Sequence, residues 1–543
     1  MSSIKKTNSN IKDAVINTRN IVTNNAKQDF NNKNKNEKRQ FWDLRTYQDP
    51  ETKELYYPWT FAKTINHNKK TGFPLKKDVD TLINAIEKGD KQSLDKIKQS
   101  SVTERKIVNC IAQKSFSLIG LDSSLGYEQI PYKIDSESAI FEISEIYILS
   151  LLRDTSFDKI EKFTNDNKFL QILNRFSNEA ITCPTTNGII TSENFLRGIW
   201  HGCNVGPYIS QLLYLPYMYG NLPIQQKYKI ELDYKPSTKI SEWLDIQNGK
   251  VNSSINFETG FAMEPITKYI NNPRMLGSIV HNDPLYQFYY QAALICFQNG
   301  IGPTGYSHPK NSDWTSGGSP FVLSCLAEVS KQALLHAWYH KYEVNLRIRP
   351  EVLAQRIELA HTASQELLEA VPGLSNIKNI TNEKISELLK MIQKENQNNT
   401  RLLKLQYPEG SPTHPSLPAG HAIVACACTT LLKAVLNTQL SNGSDRPWPS
   451  KVVHSINGHS LVNYKGNTNN MTVNSELNKL ASNISLGRCM AGVHYRQDNN
   501  LLLGEQVAIR YLQDKAVSIH ENDGELFTGW TLRKLDGSII RIQ

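Results

Sequence analysis

The sequence predicts an all-α protein: two helical bundles in one large domain, closed by a small C-terminal β-hairpin. Three observations carry this reading. Apolar residues recur at spacings of three and four in SAIFEISEIYILSLLRD and again in LYQFYYQAALICFQNG, which is helical periodicity. Clearly extended signals are confined to the C-terminal end, where GELFTGWTLRKLDGSIIRI sets an Asp536-Gly537 turn between two β-rich runs. A chain of 543 residues can bury one large core or two ordinary ones, and no repeat at solenoid periods breaks it into smaller units.

Taken in order, residues 1–40 read as a tail, 41–283 as an N-terminal helical lobe, 284–517 as a second, catalytic lobe, and 518–543 as the hairpin. The tail holds nine Lys/Arg, three Asp/Glu and ten Asn, with its few apolar residues scattered. It cannot bury enough to offset chain entropy, so a solvated, disordered segment is expected. Helix is expected over most of Val79 to Leu170. NFLRGIWHGCNVGPYISQLLYLPYMYGNLP, from Asn194 to Pro223, reads as a helix broken by Gly and Pro, then irregular chain. A second helical series starts near Pro284. Gly300, Gly302 and Gly305 have GxGxxG spacing, but helix precedes them and Pro303 lies among them, so no dinucleotide loop is read there.

Composition narrows the function. Of the formal net charge of +9, the tail carries +6. The folded body is thus near neutral, and no nucleic-acid surface is predicted. No apolar run is long enough to span a membrane, and no secretory signal is seen. A soluble, by default cytoplasmic, protein is expected. Its eight cysteines include no CxxC pair, so free buried thiols are expected.

Three segments point to one anion. In FVLSCLAEVSKQALLHAWYHKYEVNLRIRPE, Ser319-Pro320 reads as a cap and first turn, and the helix should run until Pro350 discourages it. Lys341 and Arg349 then project about 80° apart, able to reach one pocket if the last turn loosens. His336 and His340 have zinc-face spacing, but Ala337 stands where HExxH needs glutamate. In EGSPTHPSLPAGHAIVACACTTLLKAVLN, Gly420 and His421 open a helix whose unpaired N–H groups suit an anion, and its small residues let neighbouring helices approach. In SELNKLASNISLGRCMAGVHYRQDNNLLLGEQVAIRYL, Gly487 and Gly492 suggest breaks that let Arg488 and His494 share a site, with Asn499 or Asn500 capping the next helix. Cations, a helix mouth and two histidines are what a tetrahedral oxyanion requires.

Lys341…Arg349-Pro350, PAGH at 418–421 and Arg488-x5-His494 together resemble the signature of vanadium-dependent haloperoxidases and of type-2 phosphatidic-acid-phosphatase-like acid phosphatases. EGSPTHPSLPAGH, GRCMAGVHYRQD and LLLGEQVAIRYL resemble the algal bromoperoxidases in particular. The likeness covers most of residues 100–543. It implies vanadate as cofactor, with His494 as direct vanadium ligand and Lys341, Arg349, Arg488 and the Gly420 amide on its oxygens. It further implies His421 as acid–base residue, Lys341 as the group polarising peroxide, and His414 as an extra pocket histidine. Hydrogen peroxide, halide (bromide first) and an organic acceptor would be the substrates, and a homo-oligomer the assembly. Trp338 and His414 are the candidates for tuning halide choice. Ala419 stands where the best-known members have serine, which should weaken vanadate binding without abolishing it. The alternative is a vanadate-inhibited acid phosphatase with His494 as nucleophile and His421 as leaving-group acid.

Overall fold

The computed structural model describes residues 40–543 except 113–114, 116, 127–128, 232–237, 252–262, 397 and 524, together with isolated positions before residue 40. The tail expectation lies almost wholly outside the described residues.

One bundle is built on α1 (Glu137–Leu152), capped by the Ser136 side chain and buried on nearly every face. The other is built on a helix nearer the C-terminus. Between them in the chain come a short hairpin of β1 (Tyr217–Tyr219) and β2 (Leu222–Ile224), then α2 (Pro273–Ile279) and α3 (Gln287–Gln298). Next are α4 (Ser319–Tyr339), α5 (Pro350–Thr362) and α6 (Leu374–Glu395). The site helices α7 (Gly420–Val435) and α8 (Val473–Met490) follow, then α9 (Leu502–Asp523). The chain ends in the expected hairpin, β3 (Trp530–Arg533) against β4 (Ile539–Ile542), with Gly537 in the turn at φ 86. Its antiparallel pairing begins well past the end of α9.

Helix α7 is the axle of the second bundle, packed against α3, α4, α8 and α9. Its Ala422, Ala425, Cys426, Ala427 and Cys428 are all fully buried, and small side chains are what permit so many neighbours. Gly504 of α9 shows the tightness: a Cβ there would sit 2.5 Å from the Ile423 carbonyl. In the first bundle α5 and α6 pack on α1. The bundles therefore do not follow a cut at 283/284, since two helices from beyond it return to α1. Both share one hydrophobic cluster, from Ile140 through Leu388 to Leu480. All eight cysteines are free and buried.

Several local expectations are corrected. Between Val79 and Leu170 helix is discontinuous: past Leu94 the described residues form turns and irregular chain up to α1, because this Ser-rich stretch lacks a capped apolar run. Asn194 to Pro223 holds no α-helix among the described residues. Gly202 and Gly206 adopt φ of 79 and 68, conformations a helix cannot include, and the stretch ends in β1 and β2. Helix α4 is capped by Gly318, with Ser319 its first residue. It stops at Tyr339 rather than reaching Pro350. A wide turn over His340–Asn345 follows, closed by Leu346 N–H donating to the Lys341 carbonyl at 2.9 Å, with Leu346 at φ 43. Pro350 then opens α5, where its missing N–H costs nothing.

Gly487 does not break α8. It lies inside the helix at its closest approach to α2, where a Cβ would meet the Leu276 carbonyl at 2.9 Å and Val280 at 3.0 Å. Gly487→Ala is expected to cost about 1–3 kcal/mol by overpacking, measurable by denaturant unfolding. Gly492, at φ 86, supplies the real break after α8. The Asn500 side chain accepts from Leu502 N–H at the start of α9.

Candidate active site

Four chain segments deliver the site. The turn after α4 buries Lys341; the residue before α5 is Arg349; α7 opens at Gly420 and His421; the end of α8 and the loop beyond give Arg488 and His494. The structure brings these six together with Trp338 and His414 around one cavity of about 130 Å³. Its lining includes Asp283, Trp338, His414, Gly420, His421, Arg488 and His494; behind it Arg349 bonds His414 and His494, and Lys341 lies over Trp338.

His494 is held at both ring nitrogens. Its Nδ1 faces Asp498 Oδ2 at 2.8 Å, and its Nε2 faces the Arg349 guanidinium at 2.8 Å. A carboxylate only accepts and a guanidinium only donates, so the proton sits on Nδ1 and the Nε2 lone pair points toward the cations. Asp498 is fully buried and richly bonded. Arg347 donates to its Oδ1 at 2.8 Å, and Tyr495 N–H to Oδ2 at 2.9 Å. The Ser416 hydroxyl also donates to Oδ2. Arg347 reaches on to Glu142 of α1 at 2.8 Å and stacks on Tyr495. The Asp498 carbonyl takes the Ala419 N–H at 2.7 Å, tying the loop to the mouth of α7.

The cations are anchored mainly through backbone. Lys341 Nζ donates to the Pro415 and Ser416 carbonyls at 2.8 and 3.0 Å and lies over the Trp338 ring. Arg349 donates to the His414 and Val493 carbonyls and to His414 Nδ1. Arg488 donates to the Val280 carbonyl at 2.6 Å and to the Tyr407 hydroxyl at 3.3 Å, and its buried Nε has no hydrogen-bond partner among the described residues. Tyr407 is stacked face to face on His281, whose Nε2 meets Glu409 at 2.7 Å. Two residues on, Asp283 meets His421 Nε2 at 2.8 Å. The segment Val280–Asp283 thus fixes Arg488 and His421 together.

Burial dominates the electrostatics. It pushes His494 and His414 well below the ordinary histidine range, helped by Arg349 and Lys341. It also pushes Arg349 down to about 9. Burial alone would raise Asp283, but His421 and Arg488 outweigh it and hold the carboxyl below its usual value. A buried cluster with excess positive charge and a free guanidinium Nε suits an oxyanion.

Among the described residues no group of three or more His, Cys, Asp or Glu side chains that could hold a metal ion is found, at His336 and His340 or elsewhere. His336 bonds the Leu121 carbonyl, and burial lowers the two rings to about 4 and about 3. Below the unfolded histidine value of about 6.5, the unfolded chain takes up protons that these rings refuse. Each therefore removes up to about 1.4 kcal/mol per pH unit as pH falls toward its folded value. Denaturant unfolding at about pH 6 and about pH 5 is expected to show the loss, and replacing either histidine by glutamine to reduce it.

Sequence reading passed over Asp498, Asp283, Arg347, Tyr407 and His281. Asp498 carries a signal, lying four residues after His494, the spacing of one turn. The others come from distant segments, and nothing in their local sequence marks them.

No family model matches the chain. It is 28% identical to the vanadium-dependent bromoperoxidase of Corallina pilulifera over 91% of the chain and 92% of that protein. With the vanadium-dependent bromoperoxidase of Corallina officinalis the figures are 27%, 91% and 92%. With that of Ascophyllum nodosum they are 29%, 72% and 71%. A homohexameric vanadate-dependent bromoperoxidase of Ascophyllum nodosum shares the fold at TM-score 0.75 and 24% identity, over 90% of this chain and 84% of that one. Along most of its length the chain is thus similar to vanadium-dependent bromoperoxidases of algae, and it shares their fold.

Proposed function

We propose that this protein is a vanadium-dependent haloperoxidase. It oxidises halide, bromide first, with hydrogen peroxide to hypohalous acid, which then halogenates an organic acceptor. The observation that carries this is His494, its proton tied to Asp498 and its Nε2 lone pair turned to Arg349, on a cavity lined by Arg488 and backed by Arg349 and Lys341. The relatives' shared vanadium dependence supports the cofactor, and the homohexameric relative supports a homo-oligomer.

The residues present fit vanadate. His494 Nε2 would ligate vanadium, and Lys341, Arg349, Arg488 and the Gly420 N–H would hold its oxygens. When bound, vanadate supplies Lewis-acid activation of hydrogen peroxide. His421, oriented by Asp283, takes the proton that peroxide loses and returns one to the departing oxygen. Lys341 stabilises negative charge on oxygen as halide attacks. Trp338 and His414, rings 4.9 Å apart beside that ammonium, shape the halide's approach. Depressed basicity keeps His414 neutral at working pH.

A second reading draws on the same cradle: a phosphomonoesterase with His494 as nucleophile and His421 as acid. Metal-stripped protein with peroxide, bromide and a diketone reporter separates the two. Bromination that appears only on adding orthovanadate, with phosphate competing, supports the haloperoxidase. Hydrolysis of p-nitrophenyl phosphate, blocked by vanadate and without bromination, supports the phosphatase. Ala419 caps α7 without a side-chain bond. Ala419→Ser is expected to tighten vanadate roughly tenfold or more, as one bond to a charged oxygen would, read by vanadate titration.

A further inference from the structure

We infer that a strip of exposed aromatic and apolar side chains at the cavity mouth is the docking site for the organic acceptor, and that it suits a flat, uncharged aromatic such as a phenol. The inference rests on the haloperoxidase reading and deepens it.

Tyr289, Gly420, Val424, Arg488 and His494 form the buried floor of the cavity, and Leu285, 37% exposed, is the most open residue of its lining. From Leu285 the strip leads outward. Tyr286 follows directly in the chain and is equally exposed. Tyr290 lies one helical turn along α3, its ring centroid 6.4 Å from that of Tyr286. Tyr219, on β1, sits 6.1 Å from Tyr290 and is 56% exposed. Leu222 pairs with Tyr219 across the β1–β2 hairpin and is 57% exposed. Four exposed positions, Leu285, Tyr286, Tyr219 and Leu222, are therefore apolar or phenolic, with half-buried Tyr290 joining them. Such continuity at a surface marks a binding site more often than chance exposure does.

Continuity with the cavity selects the occupant. Hypohalous acid leaving past Leu285 meets this strip before bulk water. Rings at these separations accept another ring by stacking or edge contact, while Tyr hydroxyls supply a few polar points for orientation. The reaction on the strip balances without a further oxidant. A C–Br bond forms at a ring carbon ortho or para to the phenol oxygen, the Br–O bond breaks, and the hydroxide released takes the ring proton as water.

The test is a competition run on the vanadate-loaded enzyme between an apolar phenol and the diketone, with reagent hypobromite as reference. Wild-type enzyme is expected to brominate the phenol in several-fold greater preference than hypobromite does. The Tyr219→Ala, Tyr286→Ala double variant is expected to fall to the hypobromite ratio, with bromide-dependent oxygen release from peroxide, measured without acceptor, unchanged. The Tyr219→Phe, Tyr286→Phe variant should keep the preference. A wild-type ratio equal to that of hypobromite would overturn the proposal, as would an alanine variant that keeps its preference. A change of molecular mass in the alanine variant would also overturn it, assigning the strip to contact with a second copy. Absence of vanadate-dependent oxygen release in the wild type would remove the haloperoxidase reading itself, and this proposal with it.

Discussion

Asp498→Ala is expected to destabilise the protein by about 3–5 kcal/mol and to abolish measurable vanadate binding. The carboxylate is fully buried and takes hydrogen bonds from Arg347, Tyr495 N–H, the Ser416 hydroxyl and His494. Removing it strands half of a buried guanidinium, and uncompensated buried charge is the costly case. Burial alone would disfavour the Arg347 charge; Glu142 and Asp498 more than compensate and hold its pKa above the ordinary value. Asp498→Asn is the sharper probe. Its amide oxygen can still accept from His494 Nδ1–H but brings no charge. Weakening such a partner of a metal-binding histidine costs about 10–100-fold in affinity. Denaturant unfolding gives the first number and vanadate titration the second. An Asn variant that binds vanadate as the wild type does would remove Asp498 from the site's support.

His421→Ala is expected to act on the other quantity. General acid–base catalysis contributes about 10²–10⁴-fold, so kcat should fall by that amount while vanadate affinity changes less than about tenfold, His494 and the cations being intact. Asp283→Asn should lower kcat through misorientation of the imidazole, since its carboxylate is what meets Nε2 at 2.8 Å. Steady-state rates at saturating bromide and peroxide, with vanadate occupancy measured on the same samples, separate the effects. Equal loss of affinity and rate in the His421 variant would make it a binding residue.

Much of this was legible in the chain. The candidate positions Lys341, Arg349, Gly420, His421, Arg488 and His494 do converge, because each lies in or near the end of a helix or the loop beside one. The details of those breaks were not legible. In sequence Pro350 marks a terminator, yet it starts α5, and the true stop is the wide turn closed by Leu346. A proline specifies a boundary but not which side of it is helical. In sequence Gly487 suggests a break, yet it is a contact between α8 and α2; only the neighbour distinguishes the two. The supporting pairs Asp283–His421 and His281–Glu409 join segments more than a hundred residues apart, and pairing over such separations leaves no periodic trace.

Arg347 joins Asp498 beneath the site to Glu142 in a different bundle. This has a consequence for dissecting the gene. A fragment starting at residue 284 would encode every candidate ligand and every candidate proton carrier, yet its guanidinium would have lost one of two counter-ions. Such a fragment is expected to stay inactive alone, and to recover function only when residues 41–283 are co-expressed as a separate piece. The first half of the chain is then a charge donor supplied in trans, and the enzyme divides by sequence but not by function.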